Sequence, residues 1–206
     1  MFISFDGIDG SGKSTQLRLF SDWLKATGKT PLLCRDPGST PLGEKIRHLL
    51  LDTNEASIGR RAEMFLYMAA RAQMVHEIIR PALEAGKIVV VDRFLLANIA
   101  YQGYGGYLDV KKLWDIGRFA TESTSPELTF VFDLSPEVAA ERISRPKDRM
   151  EQQGLSFFQR VSEGYRIEAK KHPGKFFLIQ ADRPEEAIAA EIRELYQEKE
   201  KSMVPK

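Results

Sequence analysis

A glycine-rich segment near the start of the chain constrains the fold more than any other feature. Residues 7–14 read Gly-Ile-Asp-Gly-Ser-Gly-Lys-Ser and match the pattern G-x-x-x-x-G-K-[ST] at every fixed position. Mostly apolar residues at 2–5 precede it as a short strand, and residues 16–25 carry apolar side chains at helical spacing. Strand, glycine loop and helix follow in the order that builds a phosphate-binding loop. The segment therefore predicts an α/β fold of the P-loop NTPase class.

The residue types of this loop suit a nucleoside triphosphate. Glycines let the backbone close into a nest of N–H groups around phosphate oxygens, and the helix adds the partial positive charge of its N-terminus. Lys13 is predicted to reach the β- and γ-phosphates, and the Ser14 hydroxyl is predicted to ligate Mg²⁺. The predicted nucleotide-binding residues are Gly7, Ile8, Asp9, Gly10, Ser11, Gly12, Lys13, Ser14 and Thr15.

The remaining chain alternates strands and helices. Five apolar runs read as strands, near residues 2–5, 30–34, 88–94, 128–134 and 176–179. Right-handed crossovers between them predict a five-stranded parallel sheet with helices on both faces. At 206 residues, the chain is expected to form a single domain over residues 1–206.

Composition narrows the classes of function. The net charge of +1 provides no global basic field for a nucleic-acid partner. Cys34 is the only cysteine, so no disulfide forms within the chain, which fits a reducing cytoplasm. No apolar run approaches the roughly 20 residues that cross a bilayer. We expect a cytoplasmic protein without a membrane or nucleic-acid partner.

Charged residues stand at the carboxyl ends of two predicted strands, where loops line the ligand crevice of an open α/β sheet. Arg35 is a candidate for holding a second anion, although a solvated turn arginine is the alternative. Asp92 occupies the position of a Walker-B acid that acts on Mg²⁺ directly or through water. Arg93 beside it is predicted to face the transferring phosphoryl group. A structural Asp–Arg pair is the alternative for these two residues.

A run of cations lies in a helix-breaking segment. Four of them, Arg142, Arg145, Lys147 and Arg149, fall within eight positions that also include a proline. Such a run is often a solvated face. In a phosphoryl-transfer enzyme it instead predicts a lid that closes over the γ-phosphate and excludes water. We place this lid at approximately 142–153.

With these residues assembled, the chain resembles the thymidylate kinases, which phosphorylate dTMP to dTDP with ATP. The resemblance covers nearly the whole chain, because the order and spacing of its segments match the family together. These segments are FDGIDGSGKST (5–15), RDPGST (35–40), MFLYMAARAQ (64–73), DRF (92–94), AYQG (100–103), RPKDRME (145–151) and FFQRVSEGY (157–165). The resemblance implies ATP and Mg²⁺ as cofactors, dTMP as acceptor and a homodimer.

The resemblance also implies residue roles on the acceptor side. Asp9 would approach the sugar 3′-hydroxyl, and Arg93 would hold the acceptor phosphate and meet the transferred group. Arg35 would share the phosphate, with Pro37 in the same loop. Phe65 would stack on thymine, a contact worth about 1–3 kcal/mol, although its position alone would fit a core residue. Three further contacts are implied: Arg71 to the base O4, Asn98 or Gln102 to the other polar edge, and Tyr101 against the deoxyribose.

On the donor side, the resemblance is to the bacterial type of the family. That type lacks an arginine inside the P-loop, where this chain has Gly10, and supplies the catalytic arginine from the lid. Arg145 and Arg149 are both candidates, and the sequence does not choose between them. Arg142 is implied in nucleotide binding. The chain departs from the usual family pattern in having Asp for Glu at Asp6 and Asp36, Phe for Tyr at Phe94, and no Ser or Thr at 97–98.

Three competing functions have distinct sequence requirements. Another nucleoside-monophosphate or deoxynucleoside kinase would share the fold and is the nearest alternative. A GTPase-type switch would need a guanine-reading N-K-x-D motif, which the sequence lacks. A DNA-associated ATPase would need a basic surface, which the net charge of +1 does not indicate.

Overall fold

The computed structural model describes residues 1–52, 57–144, 146 and 148–203. Within them, five strands form one parallel sheet in the order β2-β3-β1-β4-β5. The strands are β1 (Phe2–Gly7), β2 (Leu32–Arg35), β3 (Val89–Asp92), β4 (Leu128–Asp133) and β5 (Phe176–Gln180). The predicted five-stranded parallel sheet is therefore confirmed.

Helices connect the strands. They are α1 (Lys13–Ala26), α2 (Pro41–Leu51), α3 (Arg60–Met74), α4 (Arg80–Glu84), α5 (Leu95–Asn98), α6 (Val110–Ala120), α7 (Pro136–Glu141), α8 (Leu155–Lys171) and α9 (Glu185–Met203). Two stretches of wider π-helix, Val75–Ile79 and Ile99–Gly105, continue α3 and α5, and a short 3₁₀ turn spans Glu151–Gln153. No helix in the described ranges combines the length and apolarity that a membrane span requires.

The central strand β1 explains why the core forms where it does. All six of its residues are buried, because β3 and β4 flank it and helices cover its faces. The ring of Phe5 lies 5.6 Å from that of Phe20 on α1 and 5.3 Å from that of Phe130 on β4. Cys34 on β2 is buried as well, at 6% exposure.

The parallel register brings the carboxyl ends of three strands to one edge of the sheet. Arg35 on β2 pairs with Asp92 on β3, and Asp92 pairs in turn with Phe5 on β1. The phosphate-binding loop leaves β1 at the same edge. These pairings bring the charged ends of β2 and β3, which were predicted from the sequence, close to the phosphate-binding loop.

The glycine- and tyrosine-rich segment after β3 is helical as far as Gly105. Glycine makes this possible, because a Cβ at Gly105 would lie 2.7 Å from the ring of Phe157 on α8. Close packing of α8 on this segment holds Asn98, Tyr101 and Gln102 on one helix at the sheet edge.

Trp114 on α6 packs against β5 and α8 of the same chain. Its ring stacks on Phe176 at 6.3 Å, and its Nε1 donates to Glu168 Oε2 at 3.1 Å. On the same helix, Phe119 is 87% exposed.

Candidate active site

The phosphate-binding loop adopts the backbone form that its glycines permit. Gly10 and Gly12 have φ values of 80° and 89°, in the left-handed region, and α1 begins directly after Gly12. Ser11 Oγ and Lys13 Nζ both donate to the carbonyl of Ile8, at 2.7 and 2.8 Å. The loop is thus held in a closed turn by its own side chains.

Gly10 has a second constraint besides its backbone angle. A Cβ at this position would lie 2.3 Å from the carbonyl oxygen of Ala139 on α7. Real contacts of this kind do not occur, so α7 leaves no room for a side chain at Gly10. The absence of an arginine inside the loop follows from this packing.

The donor cleft opens above the loop. Its lining includes the predicted cations Arg35, Arg93 and Arg142 together with Asp92 on the adjacent strand. The full lining is Asp9, Gly10, Gly12, Lys13, Ser14, Thr15, Arg35, Asp36, Arg47, Asp92, Arg93, Arg142, Ile143 and Ser144. Gly7, Ile8 and Ser11 shape the loop from behind without lining the cleft.

Lys13 is buried in this cleft, at 5% exposure. Burial, and secondarily the neighbouring charge of Arg93, lowers its pKa to about 8. Because burial disfavours the charged form of Lys13, a nearby phosphate anion would stabilise that form strongly.

Ser14 and Asp92 fit a magnesium ion. Both line the donor cleft, and Asp92 Oδ1 is buried with no hydrogen-bond partner in the described part of the chain. Mg²⁺ uses few protein oxygens and completes its shell with water and substrate phosphates. The described residues contain no cluster of three or more His, Cys, Asp or Glu side chains that could hold a metal ion by themselves.

Asp6 lies beneath the loop and is fully buried. Neither carboxylate oxygen has a hydrogen-bond partner among the described residues. Burial raises its pKa to about 6, against the opposing attraction of Arg93.

Arg93 connects the loop to the acceptor side. Its φ of 67° is left-handed, and its guanidinium donates to Gly7 O at 2.7 Å, Asp9 Oδ1 at 2.9 Å and the Tyr101 hydroxyl at 3.1 Å. Burial opposes its charge, but Asp9 and the surrounding groups outweigh burial and raise its pKa well above the usual value. Arg93 is therefore a fixed, permanent cation.

The acceptor pocket adjoins the donor cleft. The two share Asp9, Asp36, Arg47 and Arg93. The lining of the acceptor pocket is Asp9, Asp36, Pro37, Arg47, Leu51, Tyr67, Arg71, Arg93, Ala97, Asn98, Tyr101, Gln102, Asp148 and Met150. All predicted acceptor residues except Arg35 and Phe65 are in this lining.

Polar side chains form a connected wall in this pocket. Arg71 is 1% exposed, and its Nε donates to Asp36 while its Nη1 donates to Asn98 Oδ1 at 2.6 Å. Asn98 Nδ2 donates to Gln102 Oε1 at 2.8 Å. This wall can present several hydrogen-bonding groups to a flat polar ring.

The structure places Phe65 away from the pocket, which corrects the sequence prediction. Phe65 is 55% exposed on α3, whereas Tyr67 lines the pocket with Arg71. The reason is helical geometry: residues four apart share a face, and residues six apart do not. The spacing between Tyr67 and Arg71 was the available signal.

The predicted lid arginines have different outcomes. Arg149 donates from Nε to Leu50 O at 2.7 Å and from Nη2 to Glu63, and it does not line the donor cleft. Arg145 lies outside the described residues. Arg142, at the start of the segment, lines the donor cleft as predicted.

Two arginines near β2 also differ from expectation. Arg35 lines the donor cleft rather than the acceptor pocket, and its Nη2 donates to Glu44 Oε1 at 2.9 Å. Arg47, which was not predicted, lines both, and its Nη1 donates to Pro37 O at 3.0 Å. On α2 the sequence showed only an apolar stripe, so nothing local marked Arg47.

The comparisons with known proteins agree with one another. The family model described as "Thymidylate kinase" matches residues 5–192. The thymidylate kinase of Desulfovibrio desulfuricans is 42% identical over 202 residues, covering 94% of this chain and 93% of that protein. That of an Exiguobacterium species is 44% identical over 194 residues, covering 93% and 92%.

A solved structure gives the same result. The crystal structure of thymidylate kinase from Ehrlichia chaffeensis superposes with a TM-score of 0.80 at 30% identity, covering 96% of this chain and 98% of that one. The family match, the relatives and the shared fold confirm the resemblance predicted from the sequence motifs. The chain therefore belongs to the thymidylate kinase family.

Proposed function

We propose that this protein phosphorylates dTMP to dTDP, with ATP in the donor cleft, dTMP in the acceptor pocket and Mg²⁺ between them. Family membership supports the reaction. The observation that supports the residue assignment is that the two cavities meet at four shared residues, Asp9, Asp36, Arg47 and Arg93. A phosphoryl group that passes between them crosses this junction.

In the donor cleft, the loop backbone and Lys13 bind the β- and γ-phosphates, and Arg142 lies beside the nucleotide. Ser14 and Asp92 would hold Mg²⁺, which when bound neutralises charge on the β- and γ-phosphates. Lys13 is buried and its pKa is lowered to about 8, so phosphate binding restores full protonation.

In the acceptor pocket, Tyr67 takes the stacking role that the sequence assigned to Phe65. Arg71, Asn98 and Gln102 form the polar wall that reads the base edge. Tyr101, held by Arg93, lies between the base wall and the loop, where the deoxyribose would pass.

For the transfer step, the protein has to position the two reactants and supply positive charge. The acceptor phosphate is already an anion at neutral pH, so no side chain must remove a proton. Arg93 is fixed by Gly7 and Asp9 and faces both cavities, so it can meet the acceptor phosphate and the transferring group together. Positioned charge of this kind is the main source of catalysis in phosphoryl transfer.

The lid assignment favours Arg145. Arg149 is engaged with Leu50 near the end of α2 and with Glu63 on α3, so it anchors one side of the lid. The catalytic lid cation is then Arg145, the other candidate from sequence. Comparing kcat for Arg145→Ala and Arg149→Ala tests this, since only loss of the catalytic residue should affect kcat more than KM.

A homodimer and a cytoplasmic location complete the proposal. The homodimer is supported by exposed apolar side chains on α2 and α3: Leu42 at 46%, Leu49 at 42% and Phe65 at 55%. The cytoplasmic location is supported by the single, free, buried Cys34. Light scattering of the purified protein tests the dimer.

A coupled ADP-release assay with ATP and Mg²⁺ tests the reaction. The assay compares dTMP, dUMP, dCMP, dGMP and AMP as acceptors. We expect dTMP to give the highest kcat/KM. A preference for dGMP or AMP would reject the assignment in favour of another nucleoside-monophosphate kinase on this fold.

A further inference from the structure

Glu63 on α3 stands behind the wall of the acceptor pocket. Its Oε1 accepts a hydrogen bond from Gln102 Nε2 at 2.9 Å, and its Oε2 accepts one from Arg149 Nη2. Glu63 is 8% exposed and lines neither the acceptor pocket nor the donor cleft. Glu63 therefore contacts the pocket residue Gln102 but does not face a ligand in the pocket.

Behind the pocket surface, hydrogen bonds run in one direction from Arg71 to Glu63. Arg71 Nη1 donates to Asn98 Oδ1 at 2.6 Å, Asn98 Nδ2 donates to Gln102 Oε1 at 2.8 Å, and Gln102 Nε2 donates to Glu63. We call this set the amide chain. Its two amides are 2% and 4% exposed, so solvent does not compete for their bonds.

The two ends of the amide chain fix its direction. A guanidinium only donates and a carboxylate only accepts, whereas an amide carries one group of each kind. Rotating either amide by 180° would place donor against donor at one buried hydrogen bond and acceptor against acceptor at another, which is costly. Glu63 and Arg71 together thus dictate which atom, oxygen or nitrogen, each amide offers at each point.

The direction of the amide chain matters because pyrimidines differ at position 3. Thymine carries an N–H there and pairs with an amide oxygen, whereas cytosine carries a bare nitrogen and pairs with an amide N–H. We propose that Glu63 is a positioning residue that sets base specificity, by holding Gln102 and Asn98 in the orientation that accepts thymine and rejects cytosine. This inference rests on the proposed placement of the base beside Asn98 and Gln102.

Glu63→Gln tests the proposal with little change in size. Because Arg149 can only donate, it donates to the oxygen of the new amide. The N–H₂ of the new amide then faces Gln102, and Gln102 must rotate its amide to accept from it. We expect the ratio of kcat/KM for dTMP to that for dCMP to fall by at least about 10-fold. The matched control is Glu77→Gln on the same helical run, where an exposed Glu77 accepts from Gln73 away from the pocket.

The second variant adds Arg149→Met to Glu63→Gln. Without the arginine, the oxygen of the new amide is free to accept from Gln102 again, and the original direction returns. We expect the dTMP/dCMP ratio to recover to within about threefold of wild type, a non-additive result expected only of coupled residues. Any loss of phosphoryl transfer from Arg149→Met affects both substrates, so the ratio isolates the base.

A third variant keeps the test valid if Glu63→Gln unfolds. Glu63→Gln with Asn98→Asp preserves net charge and satisfies every junction of the amide chain in the reverse direction. We expect thermal unfolding close to that of wild type together with a lowered dTMP/dCMP ratio.

The outcomes separate the two proposals. If wild-type enzyme does not prefer dTMP over dCMP, the proposed base site fails. If wild type prefers dTMP and Glu63→Gln lowers kcat/KM for both substrates equally, Glu63 is only structural and the specificity proposal is overturned. A ratio that falls in Glu63→Gln but does not recover with Arg149→Met also overturns it, because the direction of the amide chain would not be the cause.

Discussion

The donor cleft and the acceptor pocket lie side by side but are built differently. In the donor cleft, six of the fourteen lining residues come from one continuous loop, residues 7–15, and no other segment contributes more than three. The acceptor pocket takes side chains from the loop after β2, from α2, α3 and the helical segment after β3, and from Asp148 and Met150 in the predicted lid region. The donor cleft is thus centred on one local segment, whereas no single segment dominates the acceptor pocket.

The difference determines what each site tolerates. In the proposed function the loop backbone binds the phosphates, so the donor side depends less on side chains that orient one another. In the acceptor pocket, each side chain orients the next, as Asp36, Arg71 and Asn98 do. We therefore expect losses in kcat from changes on the donor side, and losses in acceptor affinity or selectivity from changes on the acceptor side.

Lys13→Ala should give the largest effect and act on the donor side alone. We expect kcat to fall by about 1,000-fold, the upper range for removing one positioned donor from a developing charge. The dTMP KM should change little. Steady-state kinetics with both substrates varied measures this, with the exposed Lys25→Ala as control; a large rise in the dTMP KM would contradict the separation of the two sites.

Arg93→Ala should affect both sites, since the residue lines both. We expect kcat to fall by at least about 100-fold and the dTMP KM to rise as well. Single-turnover measurements at saturating substrates separate the two contributions. Turnover within a few-fold of wild type would remove Arg93 from the transfer step.

Comparing Tyr67→Ala with Phe65→Ala tests which of the two rings stacks on the base in the acceptor pocket. Loss of a stacking ring worth about 1–3 kcal/mol corresponds to a rise of about 5- to 150-fold in the dTMP Kd for Tyr67→Ala. Phe65→Ala should stay within about twofold, because Phe65 lies outside the pocket. Calorimetric titration with dTMP decides, and the opposite ranking would restore the assignment made from sequence.

The pH dependence should single out the donor side. Because the pKa of Lys13 is lowered to about 8, the free enzyme loses this charge as pH rises through about 8. We expect kcat/KM for ATP to fall above that pH, while kcat at saturating ATP falls only at higher pH, since bound phosphate holds the proton. Coincident profiles for the two parameters would be the contrary result.

Asp6→Asn should change stability rather than catalysis. The folded-state pKa of about 6 exceeds the ordinary 3.8, so the charged form is penalised in the fold above about pH 6, and the penalty fades as pH falls toward 4. The asparagine side chain removes this penalty and should stabilise the protein at pH 7.5 by up to about 3 kcal/mol. Denaturant unfolding at pH 7.5 and pH 4 measures this, with the exposed Asp22→Asn as control. An equal gain at both pH values would point to a cause other than ionisation.

The same contrast explains how far sequence alone could go. The P-loop motif and the alternating apolar runs were enough for the parallel sheet, since both are local patterns. Arg93 and Asp92 were placed correctly at the cleft because parallel strands end at one edge. Phe65 was assigned through the family resemblance, whereas its six-residue spacing from Arg71 already placed the two side chains on different faces of the helix. Arg47 and Glu63 left no local signal at all, since their neighbours come from distant parts of the chain.

The close contact between Gly10 and Ala139 has a kinetic consequence. An arginine built into the loop would be present from the moment ATP binds, whereas here α7 leaves no space for one. In the proposed function that charge comes from Arg145 instead, so the loop alone would not supply ATP with its full set of cations. We therefore expect ATP hydrolysis without an acceptor to be slow, because the packing of one glycine against one carbonyl leaves the loop without an arginine of its own.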